Sequence, residues 1–103
     1  MEYLVDFSRI PWESPMKGVR HKVLAYGSKR LRLVEYSRDL QAHWCDKGHI
    51  GYLLEGSFEI TFDSGPVVFK AGDGIFIPPG GEHRHMARVL SDVVSVIFVE
   101  DVR

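Results

Sequence analysis

Short runs of Val, Ile, Phe and Tyr recur along the chain, each closed by Gly, Pro, Asp or Ser. Such punctuation reads as many β-strands joined by tight turns. The runs predict strands over residues 20–26, 29–36, 49–54, 57–62, 67–70, 74–77, 83–89 and 93–99, and no segment of helical period competes with them. Between Ser57 and Phe62 the alternation is clean. Phe58, Ile60 and Phe62 share one face, and Ser57, Glu59 and Thr61 share the other. Gly56, the stretch Asp63-Ser64-Gly65-Pro66 and the stretch Ala71-Gly72-Asp73-Gly74 supply turns that return successive strands antiparallel at short spacing. The fold class is therefore all-β, a barrel or sandwich of short antiparallel strands. Residues 1–19 carry Pro11, Pro15 and Gly18 among Leu4, Val5, Phe7, Ile10 and Trp12, which suits an extended arm lying on a barrel formed by residues 20–103.

At 103 residues, with 45% hydrophobic and 26% charged side chains, the chain fits one domain spanning 1–103. Its 13 basic and 14 acidic residues nearly cancel and form no dense basic run, so a nucleic-acid partner is not expected. No apolar stretch approaches a membrane span, and the start, Met1-Glu2-Tyr3-Leu4, lacks a signal-peptide layout. With the single cysteine, Cys45, this leads to a cytoplasmic expectation and no membrane partner.

The segment His43-Trp44-Cys45-Asp46-Lys47-Gly48-His49 carries the chemistry. Steps of two and four send His43, Cys45 and His49 off the same face of an extended chain, where they can converge. Two imidazoles and a thiol pointing into an apolar interior are costly unless something such as a metal satisfies them. Trp44 falls between the ligands and should point outward, to be covered by another strand or a subunit, which favours a homodimer in which the arm with Ile10 and Trp12 takes part.

In this region the chain resembles the cupin superfamily, from about Ser37 to Ala87. The first cupin motif runs Gly, five residues, His-any-His, three or four residues, Glu, six residues, Gly; its frame is matched here by His43, Cys45, His49 and Gly56. The second runs Gly, five residues, Pro-any-Gly, two residues, His, three residues, Asn; it is matched by Gly72, Pro78, Gly80 and His83. The 15 residues from Ser57 to Ala71 between the motifs have the length of compact microbial cupins. Four positions depart: the opening Gly is Ser37, the second His is Cys45, the Glu is His49 and the final Asn is Ala87.

The resemblance implies a jelly-roll, or double-stranded β-helix, barrel holding one divalent transition metal on His43, Cys45, His49 and His83. Every replaced ligand is itself a metal-binding residue type. A thiolate with three imidazoles favours Zn or Fe, with Ni and Cu also suited, and weakens the case for Mn. His85, two residues beyond His83 and on the same face of a regular strand, is a candidate to support the ligands from behind, to contact substrate or to shuttle a proton, or else is simply a histidine at the barrel mouth. His21 has no partner in the sequence and reads as a surface residue. Asp46, Glu55 and Glu82 lie in turns and are assigned no catalytic role. Catalytic residues beyond the metal ligands are not legible.

The implied function is a metal-dependent enzyme of dioxygenase, isomerase, decarboxylase or lyase type acting on a small organic molecule. A small-molecule or sugar-binding sensor barrel, and a barrel with a purely structural metal, are the other readings the residues leave open. No Gly-rich phosphate loop, nucleophile elbow or helix-borne zinc-protease motif occurs, and no helix-turn-helix segment.

Overall fold

A computed structural model describes residues 2–102 and contains nine strands: β1 (Glu13–Met16), β2 (Val19–Tyr26), β3 (Lys29–Ser37), β4 (His49–Glu55), β5 (Ser57–Phe62), β6 (Gly65–Lys70), β7 (Gly74–Ile77), β8 (His85–Val89) and β9 (Val93–Asp101). They form a six-stranded sheet of order β1-β2-β3-β9-β4-β7 and a three-stranded sheet of order β6-β5-β8, antiparallel throughout. This is the sandwiched barrel that the alternation predicts. Two differences from the sequence reading matter. Residues 13–16 of the arm add an edge strand to β2, and β8 begins at His85 because Gly81–His83 form a 3-10 turn.

Tight turns fix the register. β2 and β3 are joined across two residues, with Tyr26 opposite Lys29. Gly56, the last glycine of the first motif, sits at φ +83° between β4 and β5. A Cβ there would stand 2.1 Å from the Val93 carbonyl oxygen, so only glycine lets β9 pass this corner.

The inner faces of the two sheets enclose one interior whose halves differ in chemistry. Val34 lies opposite Val96, Tyr36 opposite Val94, and Leu53 opposite Val96. Val34, Leu53, Val94 and Val96 are wholly inaccessible to solvent, and Phe58 and Ile60 close the layer from the small sheet. Farther along the same strands the inward positions turn polar: Arg32 faces Phe98 and Arg30 faces Glu100. His49, at the start of β4, lies at this polar end. The apolar half anchors the barrel, and the polar half lies beneath the rim where chemistry is possible.

The outer face of the large sheet carries Ile50, Tyr52 and Leu54 on β4, Phe76 on β7 and Val99 on β9, all exposed. Trp12 of the arm packs over β2, with the Arg20 guanidinium 4.1 Å and the Lys22 ammonium 4.9 Å from its ring centroid. No helix among the described residues is long and apolar enough to cross a membrane.

Candidate metal centre

Cys45 lies in the segment between β3 and β4 and pairs with His85 through two backbone hydrogen bonds of 2.8 Å, an isolated antiparallel bridge at the barrel rim. Opposed residues of such a bridge send their side chains to the same side. His49 comes from the neighbouring strand β4. The result is a cluster in which the ligating atoms of Cys45, His49 and His85 all lie within 4.8 Å of one another. Ligands of one tetrahedral ion, held by bonds of about 2.0–2.3 Å, stand roughly 3.5 Å apart, so small side-chain rotations suffice to close the cluster on a metal. Phe62 and Phe98 line it, their ring centroids 6.1 Å from His85 and 4.8 Å from His49. Their bulk limits solvent access.

The hydrogen bonds at the far nitrogens decide what the cluster offers. His49 Nδ1 stands 2.8 Å from Glu100 Oε2, and Glu100 also takes Arg32 Nη2 at 2.8 Å and Arg30 Nε at 2.9 Å. Burial alone would raise the Glu100 carboxyl, but the hydrogen bonds from His49 and Arg32 and the charge of Arg32 outweigh it and hold the pKa at about 2. An ionised carboxylate only accepts, so His49 carries its proton on Nδ1 and, when neutral, leaves the Nε2 lone pair free. His85 Nδ1 stands 3.0 Å from the His83 carbonyl and His43 Nδ1 stands 3.2 Å from the Gln41 carbonyl. Carbonyls also only accept, so all three imidazoles turn an unprotonated Nε2 outward from their anchors when neutral.

His85 is 5% exposed, and burial lowers its pKa; the His83 carbonyl opposes this, while the charges of His49 and His43 add to it. Burial thus favours the uncharged ring, which is the metal-binding form. Two imidazoles anchored at Nδ1 and a thiol in a half-dry cleft therefore fit a divalent transition metal, by donor type as well as by spacing.

The residues singled out from the sequence are distributed as follows. The structure brings Cys45 and His49 together. His43 stands on the exposed approach to them, near enough for its charge to act on His85. His83 lies in the 3-10 turn, its side chain 41% exposed and its Nε2 3.8 Å from Glu82 Oε1, outside the cluster. The turn breaks the two-residue strand period, so His83 and His85 do not share a face and it is His85 that points inward. Pro78-Pro79-Gly80-Gly81 delivers this turn, and the Gly80 amide donates to the Asp46 carbonyl, tying it to the Cys45 segment. Trp44 is half-exposed and covered within its own chain by the Arg84 guanidinium, 4.4 Å from the ring; Arg84 also pairs with Asp63 at 2.9 Å. His21, read as a surface residue, is instead partly buried, with Nδ1 3.2 Å from Arg32 Nη1.

Glu100, Arg30, Arg32 and Tyr36 did not figure in the sequence reading of the site. Strand parity carries the missing signal: Val94, Val96, Phe98 and Glu100 are one inward row, and a carboxylate ending an inward apolar row requires a partner. Tyr36 projects into the same interior, where burial pushes its phenol up to about 12, the Arg32 charge opposing and the Glu100 carboxylate adding to the effect. Beside the rim, Met16, Lys17, Leu40, Gln41, Ala42 and His43 line a hollow of 210 Å³.

Comparison with known proteins agrees with this architecture. The chain has no match among curated proteins. Its structure is similar to that of KdgF from a Halomonas species, with a TM-score of 0.79 and 20% identity over 100% of this chain and 96% of the other. It is similar to an RmlC-like cupin from Shewanella frigidimarina, with a TM-score of 0.75 and 19% identity over 98% and 91% of the two chains. It is also similar to the polyketide cyclase RemF from Streptomyces resistomycificus, with a TM-score of 0.78 and 22% identity over 100% and 81%. At these identities the likeness is one of fold. Residues 37–99, which hold the whole cluster but for the strand end at Glu100, match the Cupin domain family, and the chain belongs to that family.

Proposed function

We propose that this chain is a metal-dependent cupin enzyme in which Cys45, His49 and His85 hold one divalent transition metal, Zn or Fe first, with His43 on the approach as a further donor. The observation that carries this reading is the convergence of two Nδ1-anchored imidazoles and a thiol within 4.8 Å at the polar end of the barrel. Such a metal, when bound, would supply Lewis-acid polarisation of a substrate oxygen or, as iron, oxygen chemistry of the dioxygenase kind. The chain's own residues do the rest. Phe62 and Phe98 limit solvent access, and Glu100 and the His83 carbonyl hold the imidazole protons away from the cleft.

Two features favour an open, catalytic centre over a purely structural metal. Cys45 is only half-buried and His43 is exposed, so the cluster faces the rim instead of being sealed. The interior also carries Arg30, Arg32 and Tyr36, polar groups that a structural staple does not need. RemF, which has the same fold, is a polyketide cyclase, an enzyme on this scaffold. Isomerase, lyase or dioxygenase chemistry on a small organic molecule is the reaction class proposed here.

The test is elemental analysis of the purified, untagged protein, with Cys45→Ser beside it, followed by turnover of a small-molecule panel before and after chelation. About one metal per chain, reduced in Cys45→Ser, and turnover that stops on chelation and returns with metal are the expected results. A metal whose removal lowers the melting temperature but which accompanies no turnover would favour the structural reading. Absence of metal after reconstitution would overturn the proposal.

A further inference from the structure

Glu100 lies 51 positions from His49 in sequence and 68 from Arg32, yet one carboxylate meets both. Its side chain is 5% exposed, and its oxygens take three donors: Arg30 Nε on Oε1, and Arg32 Nη2 and His49 Nδ1 on Oε2. Burying this ion pair is expensive in itself, since desolvating a guanidinium and a carboxylate offsets most of their attraction. Arg32 Nε is moreover buried without a hydrogen-bond partner, and the Arg32 guanidinium lies 5.7 Å from the Phe98 ring centroid, leaving the pair little contact with water. A barrel of this kind fills the same volume more stably with apolar side chains. The arrangement does one thing that apolar filling does not: it fixes the tautomer and the ring orientation of His49.

We propose that Glu100, held in place by Arg30 and Arg32, is the positioning residue of the metal centre, setting how tightly the site binds its metal without touching it. This rests on the metal-binding reading above. The two guanidiniums leave the carboxylate a single direction in which to accept from His49, and the carboxylate in turn makes the imidazole a more basic donor at Nε2. Removing such an outer partner typically costs about 10–100-fold in metal affinity. His85 has only a neutral carbonyl behind its Nδ1 and His43 likewise, so the ionic support is given to His49 alone among the three imidazoles of the approach.

The experiment measures Co(II) and Zn(II) affinity of the metal-stripped chain by competition with a chromophoric chelator. Four proteins are compared: wild type, Glu100→Gln, the double variant Arg32→Met with Glu100→Leu, and Leu53→Ala. Glu100→Gln keeps the shape and one acceptor for His49; the double variant removes the two buried charges together and leaves only Arg30, whose side chain is 32% exposed and can turn to solvent. Leu53→Ala opens a cavity in the apolar half and serves as a destabilised control remote from the cluster.

The expected result is an affinity lower by about tenfold in Glu100→Gln and towards a hundredfold in the double variant, while Leu53→Ala stays within about threefold of wild type. The near-ultraviolet thiolate absorption of bound Co(II) should persist in every protein, marking an unchanged Cys45 ligand. If the double variant does not fold, Glu100→Gln against Leu53→Ala decides. Glu100 variants that bind as tightly as wild type would overturn the role of Glu100 and leave the metal site standing. An equal loss in Leu53→Ala would overturn it too, by showing the effect to be one of general stability. No binding even by the wild-type chain would overturn this inference and the metal-binding proposal together.

Discussion

At the scale of single residues the site is decided by what a side chain is tied to behind its functional atom. His85 and His83 illustrate it: the same residue type, two positions apart, yet one is buried with its Nδ1 anchored and the other is half-exposed beside Glu82. Glycines act through space instead. A Cβ on Gly51, two residues beyond His49, would lie 2.1 Å from the Ile97 carbonyl oxygen and 2.7 Å from Phe98 Cδ1, whereas one on Gly74 meets nothing within 4 Å. Gly51→Ala should therefore destabilise the fold by about 1–3 kcal/mol through overpacking between β4 and β9. Gly74→Ala should change it by less than about 0.5 kcal/mol. Urea midpoints of the two variants check this pair, and similar midpoints would contradict the close approach of β4 to β9.

At the scale of elements, β3, β4 and β9 carry the polar end of the interior, and its charges make the fold acid-sensitive. Glu100 is held at about 2 in the folded chain against an ordinary 4.5. A carboxylate lowered on folding contributes stability above its unfolded pKa and loses it as pH falls through the folded one. Stability should therefore decline between pH 4.5 and 2, by roughly 3 kcal/mol from this group. Burial lowers His85 on folding, so protonation of the unfolded chain already erodes stability as pH drops below 6.5. Both act in the same direction. Urea denaturation of the metal-stripped chain at pH 7, 4 and 3 should show stability falling at each step, with a shallower fall from pH 4 to 3 in Glu100→Gln than in wild type. Equal slopes would contradict the pairing of Glu100 with Arg32 and His49 in the folded chain.

The elements also show what a one-dimensional reading can and cannot reach. Alternation in Ser57–Phe62 and the Gly- and Asp-rich turns mark strands because period and punctuation are local properties. Cys45 and His49 were legible as neighbours in a candidate site for the same reason, their spacing being short. The exchange of His83 for His85 in the cluster was not legible, because a single 3-10 turn at Gly81–His83 resets the phase of the following strand. Glu100 and Arg32 were invisible for a different reason: their partnership depends on β3, β9 and β4 lying side by side, a consequence of sheet order and not of sequence distance.

At the scale of the whole molecule, a homodimer is expected from the sequence, and the outer face of the large sheet offers a surface for it beside the tryptophans. Trp12 is partly buried beneath Arg20 and Lys22, whereas Trp44, with Arg84 against its ring, remains half-exposed. Ile50, Tyr52, Leu54, Phe76 and Val99 leave an uncharged strip on the outer face of the large sheet, and contiguous apolar patches of this kind mark association surfaces. Sedimentation equilibrium should give the mass of two chains for wild type and one for Phe76→Asp. A wild-type mass of one chain would contradict it.

The central claim is that Cys45, His49 and His85 form the metal centre. Its most direct test is metal content per chain in His85→Ala set against His83→Ala, both prepared and reconstituted as the wild type is. The account predicts that His85→Ala loses the metal while His83→Ala, which keeps the carbonyl that anchors His85, retains it near stoichiometry. Loss in His83→Ala with retention in His85→Ala would contradict the cluster and return the ligand to the position that the cupin motif assigns.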